Sequence, residues 1–81
     1  MVPSYRDFIS SDPKILFGKP AIKGTRISVE LILDELAGGT SFAELLENYP
    51  SLSLEAIYAA LAFAADTLRA EEIYPLDQAA S

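Results

Sequence analysis

The stretch FGKPAIKGTRIS, residues 17–28, carries three cations (Lys19, Lys23, Arg26), two glycines, a proline and no acid. Cations interleaved with glycines are the raw material of a phosphate cradle. A P-loop runs G-x-x-x-x-G-K-[ST], its lysine following the second glycine and a helix opening at once, so that backbone amides converge on the phosphates. Here five residues separate Gly18 from Gly24, Lys23 precedes the second glycine, and Arg26 and Ile27 intervene before any helix start at Ser28. That order cannot aim consecutive amides at a phosphate. The stretch reads instead as a structural ribbon built by Gly18, Lys19, Pro20, Gly24, Thr25 and Arg26. The glycines permit turns, the proline fixes an edge or bend, and Ile22 and Ile27 pack beneath the helices. The cations are then solvated or paired with acids. Arg26, just ahead of Glu30, Asp34 and Glu35, is the candidate clamp from ribbon to helix, or a contact for a partner's carboxylate.

Other chemistry is sparse. The chain has no histidine and no cysteine, which removes imidazole and thiolate catalysis, zinc fingers and disulfides. The acid pairs Glu44 with Glu47, Asp34 with Glu35 and Glu71 with Glu72 offer oxygen ligands to a hard cation. Solvated helix surface explains them more simply. No catalytic residue, cofactor or metal is assigned, and three short helices hardly enclose a substrate pocket. A non-enzymatic protein is expected.

The elements that must carry these residues divide the chain, read as a single domain, into a basic β-ribbon or extended arm (1–27), a three-helix unit (28–70) and a C-terminal tail (71–81) expected to fray. In the first helix Val29, Ile32, Leu33 and Leu36 repeat at the spacing of one helix face, with Ser28 as N-cap and Gly38-Gly39 as the stop. The second places Phe42, Leu45, Leu46 and Tyr49 on one face, opens with the capping box Ser41–Glu44, and is ended by Pro50. The third starts after Ser53, with Leu52 and Ile57 as a hydrophobic staple. Its primary face is read as Leu54, Ile57, Leu61, Ala65 and Leu68, yet Tyr58, Ala59, Ala60, Ala62, Phe63 and Ala64 make the other sides apolar too. A helix apolar all round is covered all round. So small a domain cannot supply that cover, which makes Tyr58, Leu61, Ala62 and Phe63 the candidate partner or dimer interface. The runs DFIS, KILFG and AIKGTRIS lack helical period and read as short strands.

Three helices with the turn ENYPSLS before the third suggest a helix-turn-helix. The DNA-facing candidates are then Ser53, Glu55 and Ala56, with Lys19, Lys23 and Arg26 reaching backbone phosphates. None of the first three is a usual base reader, and the net charge of −6 opposes phosphate contact. The charge is also lopsided. Residues 1–26 hold five cations against Asp7 and Asp12, while residues 27–81 hold ten acids against Arg69 alone. Such polarity favours self-association into a homodimer or higher homo-oligomer, or different partners at each end. The opening MVPSYRDFISSD lacks the pattern of a secretory leader, and the longest uncharged apolar run, AIYAALAFAA, is too short to span a bilayer. No membrane association and a cytoplasmic location are expected.

The string from Ile9 to Ala64 closely resembles the bacterial domain-of-unknown-function family 433. Its I-x-x-D-P-x-I-x-x-G-K-P-x-I-K/R-G-T-R-I-x-V segment is matched from Ile9 to Val29, its E-x-Y-P-x-L element from Glu47 to Leu52, and its A-A-L-A stretch from Ala59 to Ala62. The resemblance implies a mainly α, three-helix, homeodomain-like or winged-helix-like bundle with a short N-terminal β element. It further implies an antitoxin-like protein of VapB type, encoded beside a PIN-like nuclease that it binds and silences, with repression of its own operon as the alternative. The acidic helical half suits capture of a basic nuclease better than contact with DNA.

Overall fold

The computed structural model describes residues 4–70. The C-terminal tail read over 71–81, with Glu71 and Glu72, lies outside them. Three helices and a small antiparallel sheet make up the fold, which is mainly helical.

Strand β1 (Ile9–Ser10) pairs with β2 (Ala21–Ile22), Ile9 opposite Ile22 and Ser10 opposite Ala21. Ile9, Ala21 and Ile22 are all buried, so the two-residue pairing is held from one side by the core rather than by its own few hydrogen bonds. After β2 the chain reverses at Gly24, whose φ of 77° is left-handed. The Ile22 amide donates to the Ile27 carbonyl at 2.9 Å and the Thr25 amide to the Ile22 carbonyl at 3.0 Å, closing the Gly-Thr turn expected there. The run KILFG is not a strand. Leu16–Gly18 forms a 3-10 turn, preceded by a bridge of Asp12 to Ile15.

Helix α1 (Val29–Ala37) is capped by Ser28, whose Oγ accepts the Leu31 amide at 2.9 Å. Gly39, at φ 100°, provides the left-handed exit while Gly38 keeps a right-handed conformation. Helix α2 (Phe42–Asn48) has its capping box complete: Ser41 Oγ accepts from the Glu44 amide, and Glu44 Oε1 accepts from the Ser41 amide. Helix α3 (Leu54–Ala70) is the longest at 17 residues and opens with Ser53 Oγ accepting the Ala56 amide at 3.1 Å.

The core sits between α3, α1, α2 and the two strands, centred on Ile32, Leu45 and Ile57, each fully buried. The face of α3 turned inward consists of Ala56, Ile57, Ala59 and Ala60. This corrects the sequence expectation, in which Leu54, Leu61 and Leu68 joined Ile57 in the primary face; all three leucines are exposed. Alanines let α3 lie close against the short α1 and against Phe8 and Ile9, where leucines would hold the backbones apart. Among the described residues no helix is long and apolar enough to cross a membrane.

Candidate functional site

The ribbon's residues have separate tasks. Gly18 (φ 85°) and Gly24 turn the backbone, and the Pro20 carbonyl accepts the Val29 amide at 2.9 Å, tying the ribbon to the start of α1. Thr25 Oγ1 donates to the Ile22 carbonyl at 2.8 Å and accepts from the Ile27 amide at 3.0 Å, so its hydroxyl locks the turn. The ion pair from ribbon to helix exists, but Lys19 makes it, with Nζ 3.1 Å from Glu30 Oε1. Arg26 is exposed and makes no ion pair within the described residues. It therefore does not clamp the ribbon to α1: the turn directs it outward, while Lys19 lies alongside the first turn of the helix.

On α3 the candidate interface separates into two parts. Tyr58 and Leu61 are exposed, whereas Phe63 is half-buried against the core and meets Tyr5 edge-on, ring centroids 5.5 Å apart. Ala62 is half-buried. The Tyr58 ring rests edge-on against Phe42 of α2 at 5.7 Å and still leaves nearly half its surface in water. Leu54, Tyr58, Leu61, Ala65 and Leu68 follow one another at spacings of four, three, four and three residues. That is a coiled-coil a/d seam, narrower than the face of an ordinary core helix. Four of its five members are exposed large apolar residues. Sequence periodicity found these positions but assigned the leucines inward.

The DNA-facing set is dispersed. Ala56 is 1% exposed and lies in the core, so it cannot touch a groove. Being one residue before the fully buried Ile57, it falls on the inner side of α3. The Ser53 hydroxyl is spent on capping, and Glu55 is exposed. Lys23 and Arg26 are exposed on either side of Gly24.

The carboxylates serve structure. Glu35 Oε1 accepts the Thr40 hydroxyl at 2.8 Å, and Glu44 is held by its capping box. The backbone amide and hydroxyl of Ser41 lower the Glu44 pKa by bonding the ionised form. Tyr5 donates its hydroxyl to Asp66 Oδ2 at 2.8 Å, and that bond to a carboxylate raises the phenol's pKa. Among the described residues no three ligating side chains gather as a metal site would require.

A groove that sequence reading did not find lies between α1 and the C-terminal half of α3. Its volume is about 390 Å³, and its walls are largely apolar: Pro20, Val29, Leu33, Phe63 and Leu68, with Lys19 and Glu30 among the polar residues lining it. Phe17, two residues before the lining Lys19, is 98% exposed.

Comparison with known proteins covers most of this arrangement. Residues 9–64 match the family described as "Protein of unknown function (DUF433)". The "Uncharacterized protein y4eO" of Sinorhizobium fredii (strain NBRC 101917 / NGR234) is 40% identical over 59 residues, 73% of this chain and 27% of that protein. A crystal structure of a DUF433 member protein from Anabaena variabilis ATCC 29413 is similar at TM-score 0.71 and 31% identity, over 76% of this chain and 61% of that one. The chain thus spans less than two thirds of the length of each of these relatives.

Proposed function

The chain belongs to the DUF433 family, and on that premise we propose that it is a non-catalytic protein-binding module of antitoxin type, which captures and silences a PIN-like nuclease. The observation that carries this reading is the exposed four-three seam on α3, Leu54, Tyr58, Leu61 and Leu68 around Ala65. A strict seam on a 17-residue helix is shaped to receive another amphipathic helix, by knobs-into-holes packing or by lying in an apolar groove. Its surroundings are acidic. Glu44, Glu47 and Glu55 are exposed on α2 and the first turn of α3. Exposed acids on the helix that bears the apolar stripe and on its neighbour suit a surface that binds RNA, whose own charge is positive. The nuclease identity of the partner comes from the family resemblance; the apolar seam and its charge are this chain's own contribution.

Co-expression of the tagged chain with the product of the adjacent gene, followed by mass determination of the purified complex, tests the reading. A defined complex is expected, and Leu61→Lys should abolish it. Leu61 suits this test because it is exposed, whereas a charge at the half-buried Phe63 would also disturb packing against Tyr5. Recovery of the chain without the nuclease, or an undiminished complex with Leu61→Lys, would overturn the proposal.

A second reading, operator binding by a helix-turn-helix, draws on the exposed Lys23 and Arg26 beside the Gly24 turn. It predicts DNA affinity that falls steeply with salt. With Ala56 buried and Glu55 at the front of α3, base contacts have little to work with. Titration of the chain against its own upstream DNA at two salt concentrations separates the readings.

A further inference from the structure

The turn ahead of β2 holds an aromatic ring in water by means of strained backbone. Leu16 and Phe17 have φ of 53° and 56°, and Gly18 follows at 85°. Glycine adopts such angles freely; leucine and phenylalanine rarely do, because the side chain crowds the backbone. Residues held this way against their preference cluster at functional sites. The geometry is pinned by the Gly18 amide donating to the Ile15 carbonyl and the Lys19 amide to the Leu16 carbonyl, both at 3.1 Å. At 98% exposure the Phe17 ring gains almost no contact within its own chain.

Two residues further on, Lys19 and Pro20 line the apolar groove between α1 and α3. Consecutive Cα atoms stand about 3.8 Å apart, so Phe17 sits within about 8 Å of that wall. Knob and hole therefore lie close together along the chain.

We propose that this face binds a second copy of the same chain, Phe17 of each copy seated in the groove of the other around a two-fold axis. An isologous interface requires a self-complementary patch, and a knob beside its own hole is such a patch. The size fits: a cavity of about 150 Å³ suffices for benzene, and this groove offers about 390 Å³. The charges fit as well. Lys19 already pairs with Glu30 within its own chain, which leaves exposed Lys14, ahead of Phe17, and exposed Asp34, one helical turn beyond Glu30 on α1, without an ion pair among the described residues. Placing Lys14 of one copy near Asp34 of the other adds an attraction that opposes the general repulsion between two chains of net charge −6. Each phenylalanine ring and the walls it covers contribute a few hundred Å², short of the roughly 800 Å² per partner of a durable complex. The dimer is accordingly a reversible one that forms with rising concentration. The groove shares Leu68 with the α3 seam and leaves Leu54, Tyr58 and Leu61 clear; the association is argued from Phe17 and the groove and does not rest on the antitoxin reading.

Sedimentation equilibrium of the full chain from low micromolar to near-millimolar concentration should show a monomer–dimer equilibrium. Phe17→Gly removes the ring and installs the residue best suited to the left-handed backbone. It should weaken the dimer at least about tenfold, as loss of a buried aromatic anchor does, while urea unfolding of the monomer shows stability equal to or above the parent's. Because the chain has no cysteine, Phe17→Cys and Leu68→Cys chains can also be mixed under mild oxidation, and the mixed cross-link should exceed either like-with-like product. A parent that stays monomeric, a Phe17→Gly variant that dimerises as tightly, or no excess of the mixed cross-link would each overturn the proposal.

Discussion

Alanine substitution at two neighbouring positions of α3 separates the two apolar faces of that helix. Ile57 is 0% exposed in the middle of the core, whereas Leu61, one turn on, is 37% exposed. Both substitutions delete three carbons, each worth about 0.8 kcal/mol when fully buried, or about 2.4 kcal/mol in all. At Ile57 the closed surroundings leave a cavity as well, which raises the loss to about 3–4 kcal/mol. At Leu61 about a third of the side chain already faces water and solvent fills the space, so the loss is about 1.5 kcal/mol or less. With a urea m-value of about 1 kcal/mol/M for so small a domain, the midpoint should fall by about 3 M for Ile57→Ala and by about half that or less for Leu61→Ala. A domain of this size has only several kcal/mol to lose, so Ile57→Ala should sit near the edge of folding at room temperature. The assay is urea unfolding followed by far-UV circular dichroism, at protein concentrations low enough that the midpoint no longer depends on concentration. If Leu61→Ala matched or exceeded Ile57→Ala, the leucine face would be the buried one, and both the α3 seam and the nuclease proposal would lose their basis.

Four further outcomes follow from local geometry. Ser41→Ala should cost about 1 kcal/mol by removing the α2 cap. Because Glu44 is ionised more readily in the folded chain than in the unfolded one, its stabilisation is complete above the unfolded carboxylate pKa and lost as pH falls through the folded value. Glu44→Gln should flatten the pH dependence of urea stability in that acidic window. Gly24→Ala meets no atom within 4 Å yet must hold φ at 77°, so it should destabilise by about 1–2 kcal/mol with no change in the sedimentation coefficient of the monomer. Lys19→Ala breaks an ion pair whose side chains are 61% and 66% exposed, and solvent screening holds its effect on stability below about 0.5 kcal/mol.

What could be read from the sequence was what is decided locally. Ser28, Ser41 and Ser53 cap the helices as their types and spacing require, and Gly24 and Gly39 sit where left-handed backbone is needed. The family resemblance likewise rests on short motifs in fixed order, and the match over residues 9–64 agrees with it. The orientation of α3 was not legible, because periodicity counts apolar residues without weighing their size. Its two apolar faces compete for one core, and close approach to α1 and β1 selects the alanines. The same blindness put Ala56 on a DNA-facing surface. Phe17 escaped notice for another reason: nothing in the identity of a phenylalanine announces a left-handed φ, and the turn that imposes it depends on hydrogen bonds on either side. Arg26 and Lys19 are equally plausible ribbon clamps by charge. Only the direction of the chain through Gly18 and Pro20 chooses Lys19.

The central claim is that the α3 seam holds a nuclease in an inactive complex. The most direct measurement is RNA cleavage by the proposed PIN-like partner, taken as the product of the adjacent gene, titrated with the intact chain and separately with Leu61→Asp. Inhibition saturating at a fixed stoichiometry with the intact chain, and shifted to at least about thirtyfold higher concentration by Leu61→Asp, is the predicted result for a seam residue at the centre of the interface. Undiminished cleavage at saturating intact chain, or equal inhibition by both proteins, would contradict it.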